Sequence, residues 1–165
     1  MTVTTVEKNT ETLTLMITAD LDAPIVRAWQ LWADPRQLER WWGPPTYPAT
    51  FVDHDLSPGG VVTYFMTGPE GDQPKGWWRV LEVNAPNRLE FEDGFADENG
   101  HPNLDMPTMN IRADLRDRPD GGTRMTITTS FSSLSDMETI IEMGMEEGMA
   151  AAIGQMDDLL VVEAL

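Results

Sequence analysis

The sequence contains no cysteine, which excludes disulfides, thiolate nucleophiles and cysteine-ligated metals and leaves the redox compartment unread. Positive charge is scarce: 11 Lys and Arg stand against 28 Asp and Glu, a formal charge of −17, and lysine occurs only at Lys8 and Lys75. A field of that sign repels phosphate backbones and anionic bilayers, so no nucleic acid and no membrane partner is expected. Acid-rich faces ordinarily serve solubility, so the charge removes partners without naming one. Histidine appears twice, at His54 and His101. No apolar stretch approaches the roughly 18 residues of a membrane span, and the N-terminus lacks a basic region followed by an apolar run; a cytoplasmic location is the expectation. There is no Ser-His-Asp order, phosphate loop or dinucleotide-type glycine pattern, and Gly59-Gly60 and Gly121-Gly122 read as hairpin turns.

What is present fits one domain of 165 residues with a core of its own. Residues 1–11 are polar and threonine-rich and read as a flexible N-terminus, leaving 12–165 as the domain. Thr12 to Asp20 places Leu13, Leu15 and Ile17 on one parity, a half-buried strand. Asp22-Ala23-Pro24 reads as a helix start, with Asp22 capping and Pro24 at the first helical position, and Asp34-Pro35 repeats the device for a second short helix running to Trp42. Six strands follow, over 49–56, 60–67, 76–83, 88–95, 108–117 and 123–131, separated by Gly, Pro, Asn and Asp turns. Such short connections make neighbours antiparallel.

From Ser135 to Val162 the period changes. Met137, Ile140, Ile141, Met145, Gly148, Met149, Ala152, Ile153, Met156, Leu159 and Leu160 recur at three-and-four spacing along one stripe. A single helix of that length spans about 40 Å at roughly 1.5 Å per residue, and only a sheet is broad enough to cover it. The expected class is α+β: a curved antiparallel sheet of about seven strands, two short helices after the first strand, and a long C-terminal helix packed across the sheet.

Several stretches are more specific than this physics. Asp22-Ala23-Pro24, the Trp41-Trp42-Gly43-Pro44-Pro45 run, Asp55-Leu56-Ser57-Pro58-Gly59-Gly60, Ala85-Pro86-Asn87-Arg88-Leu89 and Gly121-Gly122-Thr123-Arg124-Met125 resemble the START-like (SRPBCC) superfamily, in the branch named after the activator of the heat-shock protein 90 ATPase. The resemblance runs from about Leu13 to Leu160 and implies the Bet v 1-like helix-grip fold. Ala19 and Ser57 stand where the family often has arginine, and Gly148-Met149 where it commonly has Gly-Trp.

The resemblance also implies a cavity between the sheet and the last helix. Strand parity then points Val52, His54 and Leu56 inward, with Val62, Tyr64 and Met66 on the next strand and Trp78 and Val80 on the one after. The same alternation gives Leu89 and Phe91, then Met109, Ile111 and Ala113, then Met125, Ile127 and Thr129, while the helix supplies Met145, Met149, Ile153 and Met156. Methionine thioethers adapt to irregular space, so this set suits either a loosely specified apolar ligand or ordinary core packing. The candidate ligand-binding residues are His54, Val62, Tyr64, Met66, Trp78, Phe91, Met109, Ile111, Met125, Ile127, Met145, Met149 and Ile153, with Tyr64, His54 and Thr129 as the polar groups. The tryptophan pairs at 41–42 and 77–78 read as anchors of the short helix and strand, or as a gate.

Asp53 and Asp55 flank His54 on the opposite face, so no metal site is expected, and no cofactor. Glu82, Glu90 and Glu92 read as surface partners of Arg79, Arg88 or Arg112. The leading functional expectation is binding or carriage of a small hydrophobic molecule. Two others stay open: an enzyme of cyclase or hydrolase type using the same cavity, and a chaperone-associated interaction module. A homodimer through an exposed tryptophan near Trp41 is open as well.

Overall fold

The computed structural model describes residues 3–163, with burial given through Val161; residues 1, 2, 164 and 165, the outer ends of the expected tail and domain, lie outside it. The strands are β1 (Val3–Asn9), β2 (Thr14–Leu21), β3 (Ala49–His54), β4 (Val61–Met66), β5 (Lys75–Asn84), β6 (Arg88–Ala96), β7 (Met109–Asp117) and β8 (Thr123–Phe131). They form one eight-stranded sheet in the order β1-β2-β8-β7-β6-β5-β4-β3, every neighbour antiparallel. Alternation sets its faces. In β7 buried Met109, Ile111, Ala113 and Leu115 alternate with Asn110, Arg112 and Asp114, and in β8 Met125, Ile127 and Thr129 do the same.

The sheet has one strand more than the sequence suggests. Residues 3–9, read from sequence as a frayed tail, pair with β2 in register from Val3 opposite Ala19 to Asn9 opposite Thr14. Nearly every β1 side chain is exposed, so no apolar parity marks the strand. It is held by backbone pairing and by Lys8, whose Nζ lies 2.9 Å from Glu146.

Helices α1 (Ile25–Ala33) and α2 (Pro35–Leu38) follow β2. Asp34 caps α2 as expected, accepting from the Arg36 N–H. Asp22 does not cap α1: Pro24 occupies the cap position with no side-chain bond, one residue later than the sequence suggests. Trp29 and Trp32 are buried on α1 and Trp41 beyond α2, so the exposed tryptophan considered for a dimer contact is absent at Trp41; its indole N–H donates to the Leu31 carbonyl at 2.7 Å.

The C-terminal helical run crosses the sheet but is broken into α3 (Leu134–Glu142), α4 (Met145–Gly154) and α5 (Met156–Glu163). The first break is sharp, because Gly144 sits at φ +90°, a left-handed conformation that only glycine adopts without cost. At the second, Gln155 keeps helical angles and sends its side-chain amide to the Gly43 carbonyl at 2.7 Å. Arg27 ties α1 to α5 through the Leu159 carbonyl at 3.3 Å. The second half of the run is thereby fastened to α1 and to the turn after α2.

Candidate functional site

Between the sheet and the start of α4 lies a cavity of about 260 Å³. The sheet supplies Tyr64 and Met66 from β4, Asp93 and Phe95 from β6 and Met109 from β7; the turn after α2 supplies Trp42 and Pro44. The opposite wall is Ile140 on α3, Met143 and Gly144 at the break, and Met145, Gly148 and Met149 on α4. Met143 is 56% exposed, so the mouth opens to solvent at the helix break. A Cβ at Gly148 would meet nothing within 4 Å, so the missing side chain there is part of the space.

The polar chemistry is concentrated at one point. Asp93 is only 6% exposed, and register places it opposite Trp78 on β5 and Met109 on β7. The Tyr64 hydroxyl donates to its Oδ1 at 3.0 Å. Gly76, opposite Tyr64 in the sheet, makes this reach available, since any Cβ there would collide with the phenol ring. Burial pushes the Asp93 carboxyl up to about 7, opposed by the Tyr64 hydrogen bond. Burial also raises the Tyr64 hydroxyl well above its ordinary value; the Asp93 charge adds to this, and the nearby Trp42 and Trp78 indoles oppose it. The indole N–H groups of Trp32, Trp42 and Trp78 are buried with no partner closing to full hydrogen-bond geometry.

Of the residues expected to meet a ligand, the structure brings Tyr64, Met66, Met109, Met145 and Met149 around this one cavity. Val62, Trp78, Phe91, Ile111, Met125, Ile127 and Ile153 point to the same side but are buried in the core and do not line the space. The reason is aromatic filling. Trp78 stacks on Phe91 at 3.9 Å between centroids, Trp42 meets Trp78 edge-on at 4.8 Å, and Trp32 meets Trp41 at 4.7 Å.

His54 is also outside the cavity. A bulge between Phe51 and Asp53 turns Val52 outward, 66% exposed, and buries Phe51 in place of the expected Val52. Beyond the bulge His54 donates from Nε2 to the Trp32 carbonyl at 3.1 Å. Of the acids read as surface partners, Glu92 pairs with Arg79 at 3.3 Å and Glu82 lies 4.0 Å from Arg88, while Arg88 and Arg112 make their shorter contacts to Asp114, at 2.7 and 3.0 Å. Among the described residues no group of three or more His, Asp or Glu is placed to hold a metal ion.

Sequence reasoning missed Asp93, Phe95, Trp42, Pro44, Ile140, Met143, Gly144 and Gly148 as lining residues. For Asp93 and Phe95 the signal was present, because the parity that turns Leu89 and Phe91 inward continues through both. An acid on an inward parity is the pattern to look for.

With this geometry in place, the comparisons with known proteins are decisive for the family. The profile described as "Activator of Hsp90 ATPase homolog 1-like protein" matches residues 22–161. The chain belongs to that family. Its fold is the helix grip of the START-like superfamily to which the family belongs. Among solved structures, protein Ms6760 from Mycobacterium smegmatis is 49% identical with a TM-score of 0.88, the match covering 96% of each chain. A protein from Arthrobacter aurescens is 48% identical with a TM-score of 0.93, covering 97% of this chain and 92% of the other. One from Staphylococcus epidermidis is 28% identical at 0.83, covering 97% and 95%. No curated protein matches the chain.

Proposed function

We propose that this member of the Activator of Hsp90 ATPase homolog 1-like family binds a small, mainly apolar molecule in the cavity between β4, β6, β7 and the α3–α4 break. The observation that carries the reading is an open, methionine-walled space left unfilled beside a core that is otherwise packed with aromatic rings. At about 260 Å³ the cavity lies just under the usual range for drug-sized ligands, which begins at roughly 300 Å³, so the ligand is a compact one. Burial of apolar area supplies affinity, and Tyr64 with Asp93 supplies orientation. Transport or sequestration accounts for these features through binding alone; an enzymatic reading would need His54, which is committed to the Trp32 carbonyl, or a buried carboxylate, which in this cavity is Asp93.

The proposal includes a cytoplasmic setting, with no cofactor and no nucleic-acid partner; no helix among the described residues is long and apolar enough to cross a membrane. The test is native mass spectrometry of the freshly purified protein, followed by denaturation and identification of anything released, with Met149→Trp as the filled-cavity control. A bound apolar compound that Met149→Trp excludes is the expected result. A clean mass, together with no thermal shift across a panel of apolar compounds, would overturn the reading.

A further inference from the structure

The apolar-ligand reading leaves the polar end of that ligand unassigned, and the following step rests on it. Among the described residues Asp93 is the one carboxyl that lines the cavity. Its carboxylate is buried and faces the cavity, yet among the described residues its one hydrogen-bond donor is the Tyr64 hydroxyl at Oδ1. An ionised carboxylate has acceptor capacity on both oxygens, so Asp93, facing the cavity, can take a further donor from a molecule bound there. A ligand that completes this site must bring a donor.

The surroundings select its charge. Among the described residues no lysine, arginine or histidine lines the cavity, so an acidic ligand would find no counter-ion and would face a like charge. The chain as a whole carries −17, a field that concentrates cations. Trp42 lines the same space, and an indole ring is a favourable neighbour for a cation. The Tyr64 hydrogen bond in turn favours the charged form of Asp93. We propose that the apolar ligand carries a protonated amine and that Asp93 is its buried counter-ion, held in place by Tyr64.

The pairing predicts a distinctive pH dependence. Among the described residues that line the cavity, Tyr64 on β4 is the one titratable group beside Asp93; β5 and β7 present Trp78 and Met109 to it, the turn after α2 presents Trp42 and Pro44, and the α3–α4 wall is apolar. The carboxyl in the free protein titrates at about 7, whereas an alkylamine stays protonated well above that, near the lysine value of about 10. Amine affinity therefore rises roughly tenfold per unit below pH 7 and levels off above about pH 8. A ligand accepting a hydrogen bond from the protonated acid would show the reverse trend.

The test titrates the intact protein with 2-phenylethylamine, 2-phenylethanol and phenylacetate by calorimetry from pH 6 to 8.5, with Nile red as an uncharged reporter of the apolar space. The expected result at pH 8 is that the amine binds roughly tenfold or more tighter than the alcohol, that phenylacetate binds weakest, and that the amine displaces Nile red. Asp93→Asn, an isosteric change, should reduce the amine to the level of the alcohol while Nile red still binds. Tyr64→Phe should move the midpoint of the amine profile to higher pH by removing the donor to Asp93. Equal binding of amine and alcohol, or tighter binding of phenylacetate, would overturn the amine assignment, and if Nile red still bound wild type and was excluded by Gly148→Leu the apolar cavity would stand. Absence of binding by Nile red and by all three phenyl compounds would overturn both.

Discussion

Around α5 the interface between helix and sheet is closed, with Met156, Leu159 and Leu160 buried and the adjoining Ile153 of α4 fully so, whereas at the start of α4 Met145, Gly148 and Met149 stay half-buried over an open space. The closed end is fastened by Gln155 to the Gly43 carbonyl and by Arg27 to the Leu159 carbonyl. The open end begins at a left-handed glycine, Gly144, and carries a second glycine where a side chain would fill the gap. The same stripe of apolar residues thus serves two purposes. Anchoring by polar bonds to the α1–α2 region accompanies a packed core, and a break in the helix accompanies a cavity.

The largest expected effect separates the two ends by truncation. Trp78→Ala removes a fully buried ring from the aromatic cluster and should destabilise the protein by about 3–5 kcal/mol. Equilibrium denaturation reads the loss; a value near zero would mean that the cluster is not the packed half.

Next comes pH. Asp93 is raised to about 7 in the folded chain from an ordinary value of 3.8, so the folded state holds this proton more tightly than the unfolded one. The contribution is fully present below pH 4 and is lost as pH rises to 7, lowering the unfolding free energy by about 4 kcal/mol across that window. Asp20 and Asp34 are shifted the other way, by hydrogen bonds from Arg124 and Gln37 respectively; their contribution is present above pH 4 and lost below it. Denaturation of Asp93→Asn across pH 4–8 should show a flatter profile than wild type. An unchanged slope would place the buried titration elsewhere.

Two smaller effects belong to the open end. Gly144→Ala forces a Cβ into a φ of +90° and should cost about 1–2 kcal/mol, with apolar-probe binding altered because the break shapes the mouth. Met149→Ala, at a half-buried position beside existing space, should cost about 1 kcal/mol or less. A loss as large as that of Trp78→Ala would show that α4 is packed as tightly as α5.

Most of the architecture was legible because it follows from period. Seven strands and the helical stripe announce themselves through alternation and three-and-four spacing, and Asp34-Pro35 marks its own helix start. Three features were not legible for identifiable reasons. The edge strand β1 is held by backbone bonds that leave no apolar pattern. The Val52 bulge inserts one residue into a strand and reverses parity locally, which alternation cannot foresee. The break at Gly144 resembles any glycine in a helix until its φ is known. In the site, parity found Tyr64 and the methionines but could not tell which inward residues meet space and which meet tryptophan. That distinction depends on how the Trp32, Trp41, Trp42 and Trp78 rings stack in three dimensions.

The methionines test the difference between the two ends most directly, because the chain has 11 of them spread over both. Methyl-labelled methionine spectra, recorded while an uncharged apolar probe such as Nile red is titrated in, give one signal for each position. The account predicts that Met66, Met109, Met145 and Met149 shift together with one dissociation constant while buried Met125, Met137 and Met156 stay in place. Uniform shifts across all of these signals, or none at Met145 and Met149, would contradict it.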